Sequence, residues 1–373
     1  MSTSKCNILC IAPYNIIPVK SGGQAAIVSL HHALGGLCTD HIAGATSNTE
    51  HNYSFTTHPI YASSPTKYIP YYKAGQLTKL AKENNITHII CEHPYMAINA
   101  MHVAKRMGIP WYIRSHNIES ERFRALGKPW WWLLRHYEQY AMKRSNGIFF
   151  ITQEDATWAI DNFKIAQDKC HTIPFGTNIK SLPKQNLLAK ATLGKQLNID
   201  PNSPWLYFLG ALDYTPNSEA VGYIINEVLP LIEEKGYQIL IGGKGLPEAL
   251  QQLISKNNNI HYLGFVDDLD MFLHACDIML NPVLKGGGIK TKAVEALAYN
   301  NTVISTESGA AGISQQACGD KLSITKDYYW AAFADAINTA VTQNISTPES
   351  FYETYYNGNI AKKVLGIINS TSR

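Results

Sequence analysis

Short apolar runs alternate with helix-length amphipathic segments along the whole chain. In the first half, Asn7–Ala12, His88–Cys91, Trp111–Arg114 and Gly147–Thr152 have the length and apolar content of buried strands. Gln24–Leu34, Tyr95–Met107 and Trp130–Arg144 lie among them with helical length and spacing. This alternation predicts βαβ units and a parallel sheet covered by helices on both faces. A polar stretch over 180–204 marks a seam, after which the pattern restarts. Trp205–Gly210, Tyr237–Ile241, Ile260–Leu263, Ile278–Asn281 and Thr302–Ser305 read as strands, with helices over Asn217–Glu234, Leu246–Lys256 and Ile289–Tyr299. Helical segments at Tyr328–Thr342 and Ser350–Ile368 follow. The expectation is two doubly wound α/β domains in tandem, with ligands in a cleft beyond the carboxyl ends of their strands.

Composition narrows this picture. A chain of 373 residues suits two domains of roughly 150–200 residues each. With 45% hydrophobic and 16% charged residues there is material for two cores and no reason to expect disorder. A net charge of +3 is too small to argue for nucleic acid. No apolar stretch approaches the roughly 20 residues that a membrane span requires. The N-terminus shows no signal-peptide pattern, and the seven scattered cysteines, none in Cys-x-x-Cys spacing, read as reduced thiols. The expected compartment is the cytoplasm. One segment leaves a membrane open. Trp130, Trp131 and Trp132, flanked by Lys128 and Arg135, cannot all share one helical face. They read either as a peripheral membrane contact or as packing that leaves a ring exposed.

Three motifs fall at expected strand ends. Pro18-Val-Lys-Ser-Gly22-Gly23 opens the first helix, where glycines permit close backbone approach to an anion, or simply supply a turn with positive φ. Arg114-Ser-His116-Asn117 follows a buried strand, so that His116 either serves a ligand or is solvated beside a helix capped by Ser115 or Asn117. The third motif is Lys285-Gly286-Gly287-Gly288-Ile-Lys290-Thr-Lys292-Ala-Val-Glu295. Lysines in the first turn of a helix oppose its macrodipole unless a phosphate is shared between them and the free N–H groups. Lys292 and Glu295 also share a helical face, and the plain alternative is a surface ion pair. Gly242-Gly243-Lys244-Gly245 and Gly264-Phe265-Val266 are smaller signals beside that loop.

These residues resemble the retaining GT-B glycosyltransferases of family 4 (glycosyl transferases group 1), in a form reading GxGxKxKxxE, over nearly the whole chain. The resemblance implies two Rossmann-like domains, over 1–178 and 179–345, with a helix within 346–373 crossing back to the first. It implies a nucleotide-sugar donor held by Gly22, Gly23, Gly243, Lys244, Phe265, Val266, Gly287, Gly288 and Glu295. Glu295 would hold the ribose, the backbone near Phe265 and Val266 would read the base, and His116 would lie near the transferred sugar. It implies a glycan or lipid-linked acceptor and no metal cofactor. Two departures stand out. Gly287 occupies the position of the first glutamate of the family's Glu-x7-Glu, and the loop Ala211–Asn217 lacks the usual cations. Lys290 and Lys292, with Lys285 beside them, are therefore expected to supply the charge, and His116, Lys290 and Lys292 are the expected catalytic groups. A non-catalytic GT-B protein that binds a glycan or partner, or a sugar-nucleotide epimerase using Glu119 and Glu121, are the competing readings.

Overall fold

The computed structural model describes residues 6–44, 51–184, 186, 188–232, 235–286 and 288–370. The chain forms two compact units. One holds the residues through Asn178 together with those from Tyr355 onward, and the other is Ile179–Thr354.

The first unit has seven parallel strands: β1 (Asn7–Ile11), β2 (Thr39–Gly44), β3 (Thr56–Pro59), β4 (His88–Glu92), β5 (Trp111–Ser115), β6 (Gly147–Phe150) and β7 (Cys170–Thr172). Their order is β3-β2-β1-β4-β5-β6-β7, so the winding reverses between β1 and β4. Ile8, Leu9, Cys10 and Ile11 are all fully buried, as a strand covered by helices on both faces requires. The strand β2 was not legible as apolar, since it carries Asp40 and His41, yet both are buried. The last helix, Asn357–Ser370, packs on Gly22–Gly35. Ile360, Ala361, Val364 and Ile368 fall on one of its faces and are buried with Leu30, Leu34 and Tyr112. The sequence reads Ser350–Ile368 as one helix, but it is two, Glu349–Tyr355 and Asn357–Ser370. The break follows from divided loyalties. Tyr352 donates its hydroxyl to the carbonyl of Ala298 at 3.0 Å, in the second unit, while Asn357 donates its N–H to the carbonyl of Thr177 at 2.8 Å, in the first.

The second unit has six parallel strands: β8 (Trp205–Leu209), β9 (Gln238–Gly242), β10 (Ile260–Gly264), β11 (Ile278–Asn281), β12 (Thr302–Thr306) and β13 (Leu322–Thr325), in the order β10-β9-β8-β11-β12-β13. Here the winding reverses between β8 and β11. The helix expected over Asn217–Glu234 runs as Thr215–Tyr223, a π turn at Ile224–Val228, and Leu229–Ile232. In open α/β sheets the crevice at such a reversal receives ligands. The loops that matter are therefore those after β1 and β4 in one unit, and after β8 and β11 in the other. Among the described residues no helix is long and apolar enough to cross a membrane.

Candidate functional site

A buried polar network occupies the strand ends of the first unit. Glu92, at the end of β4, is fully buried. Its Oε2 accepts from His116 Nε2 at 2.5 Å, and its Oε1 from His31 Nε2 at 3.1 Å and Arg114 Nη1 at 3.3 Å. His31 projects from the helix Gly22–Gly35, and its Nδ1 lies 2.6 Å from Asp40 on β2. Burial alone would raise the Glu92 carboxyl, but Arg114 and the bonds from His116 and His31 hold it well below its ordinary range. Burial would likewise lower His31, yet the adjacent Asp40 carboxylate raises it well above the usual histidine value. His116 behaves in the opposite way. Burial and the neighbouring His93 ring, 3.9 Å away between centroids, push it down to about 3. It is therefore neutral, and since a carboxylate can only accept, the single proton sits on Nε2 and the Nδ1 lone pair remains as an acceptor.

His93 links this network to a second carboxylate. Its Nδ1 donates to Glu119 at 3.0 Å, and Tyr14 Oη lies 3.0 Å from its Nε2. Glu119 also accepts from Tyr95 Oη at 2.6 Å and from Arg122 at 3.2 Å. Burial opposes ionisation there, but the His93 and Tyr95 bonds bring the carboxyl down to about 2. An acid so strong and so fully engaged is a poor proton acceptor. Glu121 is held by Arg124 and Arg135. The acidic pair that the epimerase reading needs is thus committed to ion pairs.

Two plain alternatives are corrected. Neither Ser115 nor Asn117 caps the helix Glu119–Ala125, and His116 is not solvated. Ser115 donates to the Asn117 carbonyl, while buried Glu138 accepts the N–H groups of Glu119 and Ser120 at 2.9 and 3.0 Å. A carboxylate nineteen residues onward satisfies the helix terminus instead. Gly22 and Gly23 do not supply a turn with positive φ. They begin the helix behind Ser21, which caps it through the N–H of Gln24, and a Cβ on Gly23 would meet only Tyr14 Oη at 3.6 Å. Among the described residues nothing demands glycine at position 23, so the absent side chain there leaves clearance.

In the second unit the glycine loop leaves β11, at the reversal of the sheet, and enters the helix Thr291–Ala298. Gly286 and Gly288 have φ of +96° and +70°, which L side chains resist. Gly287 lies outside the described residues. Lys290 sits at the N-cap without a side-chain cap, and its ammonium donates to the carbonyls of Gly286 and Gly288 at 2.9 Å each. Burial lowers it to about 8. Lys292 does not pair with Glu295, so the surface ion pair is not formed. Its Nζ reaches the first turn of the helix Thr215–Tyr223, donating to Asn217 Oδ1 at 3.0 Å and lying 3.7 Å from the centroid of the Phe208 ring. Burial, and then the charge of Lys290, hold it well below the ordinary lysine value. Both cations thus rest on neutral groups at a helix N-terminus. Lys285 is spoken for, 2.9 Å from Glu219 at the surface.

The neighbouring strand ends are laced together around this loop. Gly243 donates its N–H to the carbonyl of Gly264 at 2.6 Å, and Leu212 to that of Lys244 at 2.7 Å. A Cβ on Gly243 would stand 1.7 Å from the Gly210 carbonyl oxygen, so only glycine fits. Lys244 lies over the exposed ring of Phe265, and Val266 packs beside Gly242. Glu295 presents its side chain at the surface of the helix that carries Lys292. Cys10, His31 and Glu92 come close enough to hold a metal, but both ring nitrogens of His31 are already engaged with carboxylates, which leaves it no lone pair for an ion.

The sequence places His116, Lys290, Lys292, Gly243, Gly286 and Gly288 beyond strand ends, and the structure has them there. Glu92, His31, Asp40, His93 and Asn217 were not legible, because each acquires its role only from a partner distant in sequence.

Residues 36–181 match the family model described as Glycosyltransferase Family 4, and residues 203–343 match that described as Glycosyl transferases group 1. The fold and these two domains define the class: the chain is a glycosyltransferase of the GT-B type. A glycosyltransferase from Rickettsia africae ESF-5 superimposes with a TM-score of 0.77 at 14% identity, covering 99% of each chain. Anabaena Alr3699/HepE in complex with UDP gives 0.72 at 14% identity over 98% of this chain and all of its own, and it has also been solved with UDP-glucose. WaaG, a glycosyltransferase involved in lipopolysaccharide biosynthesis, gives 0.64 at 14% identity over 96% of this chain and 99% of its own. At such identities the likeness is one of fold. No curated protein sequence is significantly similar to the chain.

Proposed function

We propose that the protein transfers a hexosyl group from a nucleoside-diphosphate sugar to a glycan or lipid-linked acceptor, with retention of configuration and without a metal, in surface polysaccharide or glycoconjugate synthesis. The observation that carries this is the pair Lys290 and Lys292, two crowded ammonium groups resting on neutral partners at a glycine-lined helix N-terminus. An anion there supplies what the cations lack, and the N–H groups and the helix dipole act in the same direction. Anabaena HepE, of the same fold, binds UDP and UDP-glucose.

The chemistry divides by unit. In the second, the lysines and backbone N–H groups stabilise the negative charge that develops on the departing diphosphate, in a site already organised to receive it. Glu295 holds the ribose, Gly243 and Lys244 lie along the nucleotide, and Phe265 and Val266 receive the base. In the first, neutral His116 offers Nδ1 to a sugar hydroxyl, and its orientation is fixed by Glu92. The leaving phosphate accepts the proton of the acceptor hydroxyl, since Glu92 and Glu119 are held in ion pairs and His116, pushed down to about 3, is too weak a base to take it. Trp130 and Trp132 are exposed while Trp131 is covered by Arg124, so any peripheral contact with a cytoplasmic membrane face falls to the first two.

The test is UDP binding by calorimetry in EDTA. Binding of wild type that persists in EDTA and is lost in Lys290→Met/Lys292→Met supports the reading. Binding that appears only with added magnesium or manganese overturns it.

A further inference from the structure

An apolar groove of about 600 Å³ opens in the first unit, lined among others by Tyr68, Ile69, Tyr95, Trp130, Leu133 and Tyr137. Pockets of this size and lining suit the apolar part of a small ligand. Ile69, Trp130 and Leu133 are about half exposed.

Two features identify an occupant. First, the groove is continuous with the network around His116. An aromatic row runs out of it: Tyr68 meets Tyr95 edge-on at 6.0 Å, Tyr95 stacks on His93 at 5.5 Å, and His93 lies against His116 at 3.9 Å. The hydroxyl of Tyr95 ends on Glu119, so one residue is both groove wall and network member. Second, two lysines adjoin the groove wall. Lys67, only 9% exposed, holds its ammonium 5.2 Å from the centroid of the Tyr68 ring with no ion pair among the described residues, and Lys128 stands exposed beside Trp130.

We infer that the groove binds the hydrocarbon chain of a lipid-phosphate acceptor, with the phosphate at these two lysines and the group that accepts the sugar lying along the aromatic row toward His116. This rests on the transferase reading above and narrows its acceptor to an anionic amphiphile. A concave groove takes a single chain and is shaped for it, whereas a bilayer surface would meet only its edges. Cations over aromatic faces favour a charged head next to an apolar chain.

The full-length protein titrated with farnesyl monophosphate, below its micelle concentration and followed by tryptophan fluorescence, tests this. Saturable binding is expected. Leu133→Asp and Ile69→Asp, both at exposed positions that tolerate the change, weaken it at least about tenfold. Lys67→Met weakens farnesyl monophosphate while leaving farnesol unaffected, and inorganic phosphate alone does not compete. UDP affinity is the same in all three variants, which separates this proposal from the donor site: loss of UDP binding in wild type would sink the donor reading alone. Saturable UDP binding without saturable farnesyl monophosphate binding overturns the groove. So does wild-type affinity in both aspartate variants, or flotation with anionic vesicles in place of monomer binding.

Discussion

The strand-end sites of the two units treat charge in opposite ways. In the first, the charged groups around His116 are paired within the protein: His31 between Asp40 and Glu92, Glu92 against Arg114, and Arg122 against Glu119. In the second, among the described residues, Lys290 and Lys292 meet only carbonyls, an amide oxygen and an aromatic face. A closed network fixes geometry and leaves no net attraction for an ion. An open one has affinity in reserve, at a cost to the empty protein that its depressed lysines record. The first site is thus built to orient a neutral group, and the second to receive an anion.

The largest effects come from cutting the closed network. Glu92→Leu leaves the imidazolium of His31 and the guanidinium of Arg114 buried without their shared carboxylate, and should destabilise the protein by about 3–5 kcal/mol in urea unfolding. Lys292→Met removes a buried cation that has no counter-charge, and stability should not fall. If both variants lose the same stability, the contrast between the two sites is wrong.

Function should respond in the reverse order in the second unit. Lys292→Met gives up a charge-assisted contact of roughly 1.5–3 kcal/mol, or about 10–150-fold in donor turnover. The loss should be greater in turnover than in UDP affinity, because charge on the phosphate grows as the sugar departs. Equal losses in both would place the lysine on the ground state only.

The same contrast explains what could be read from the sequence. Strands such as β1 and β8 were legible because their burial is hydrophobic. The strand β2 was not, since Asp40 is buried by virtue of His31, and no hydropathy pattern contains that pairing. The open site was the more legible of the two. Its glycines and lysines crowd into one loop and one helical turn, so local spacing alone brings them together. The closed site draws on β2, β4, β5 and two helices, and only His116 betrayed it. Even in the open site, the support of Lys292 by Asn217 crosses 75 residues and was invisible. The cap mistaken for Ser115 or Asn117 fails for the same reason, since Glu138 comes from the next helix.

A pH titration sharpens the comparison further. Burial lowers Lys290 to about 8 in the empty protein, and a bound diphosphate favours its ammonium form and so raises that value. Below pH 8 the cation is present before and after binding, and Lys290 contributes no slope. As pH rises above 8, binding must first recharge the lysine, so UDP affinity should fall by at most about tenfold per pH unit. Lys290→Met should reduce that slope, and Lys292, which burial also holds below the ordinary lysine value, carries the remainder. His116, held neutral down to about 3, should contribute none near neutrality. A slope left unchanged by Lys290→Met would assign the titration elsewhere.

The smallest effect is expected at Lys285, which stands in the same glycine loop but belongs in character to the closed site. Its ammonium lies 2.9 Å from Glu219, with the lysine side chain 60% exposed. Exposed pairs of this kind are screened by water and salt, and the carboxylate cancels most of the field that the lysine would project along the loop. Lys285→Ala should change UDP affinity and turnover by less than about twofold, and raising the salt concentration should erase even that. Glu219→Ala, which frees the same cation, should if anything tighten UDP slightly at low salt. A loss at Lys285→Ala comparable to that at Lys292→Met would mean that burial and the absence of a counter-charge are not what make a lysine in this loop bind the diphosphate.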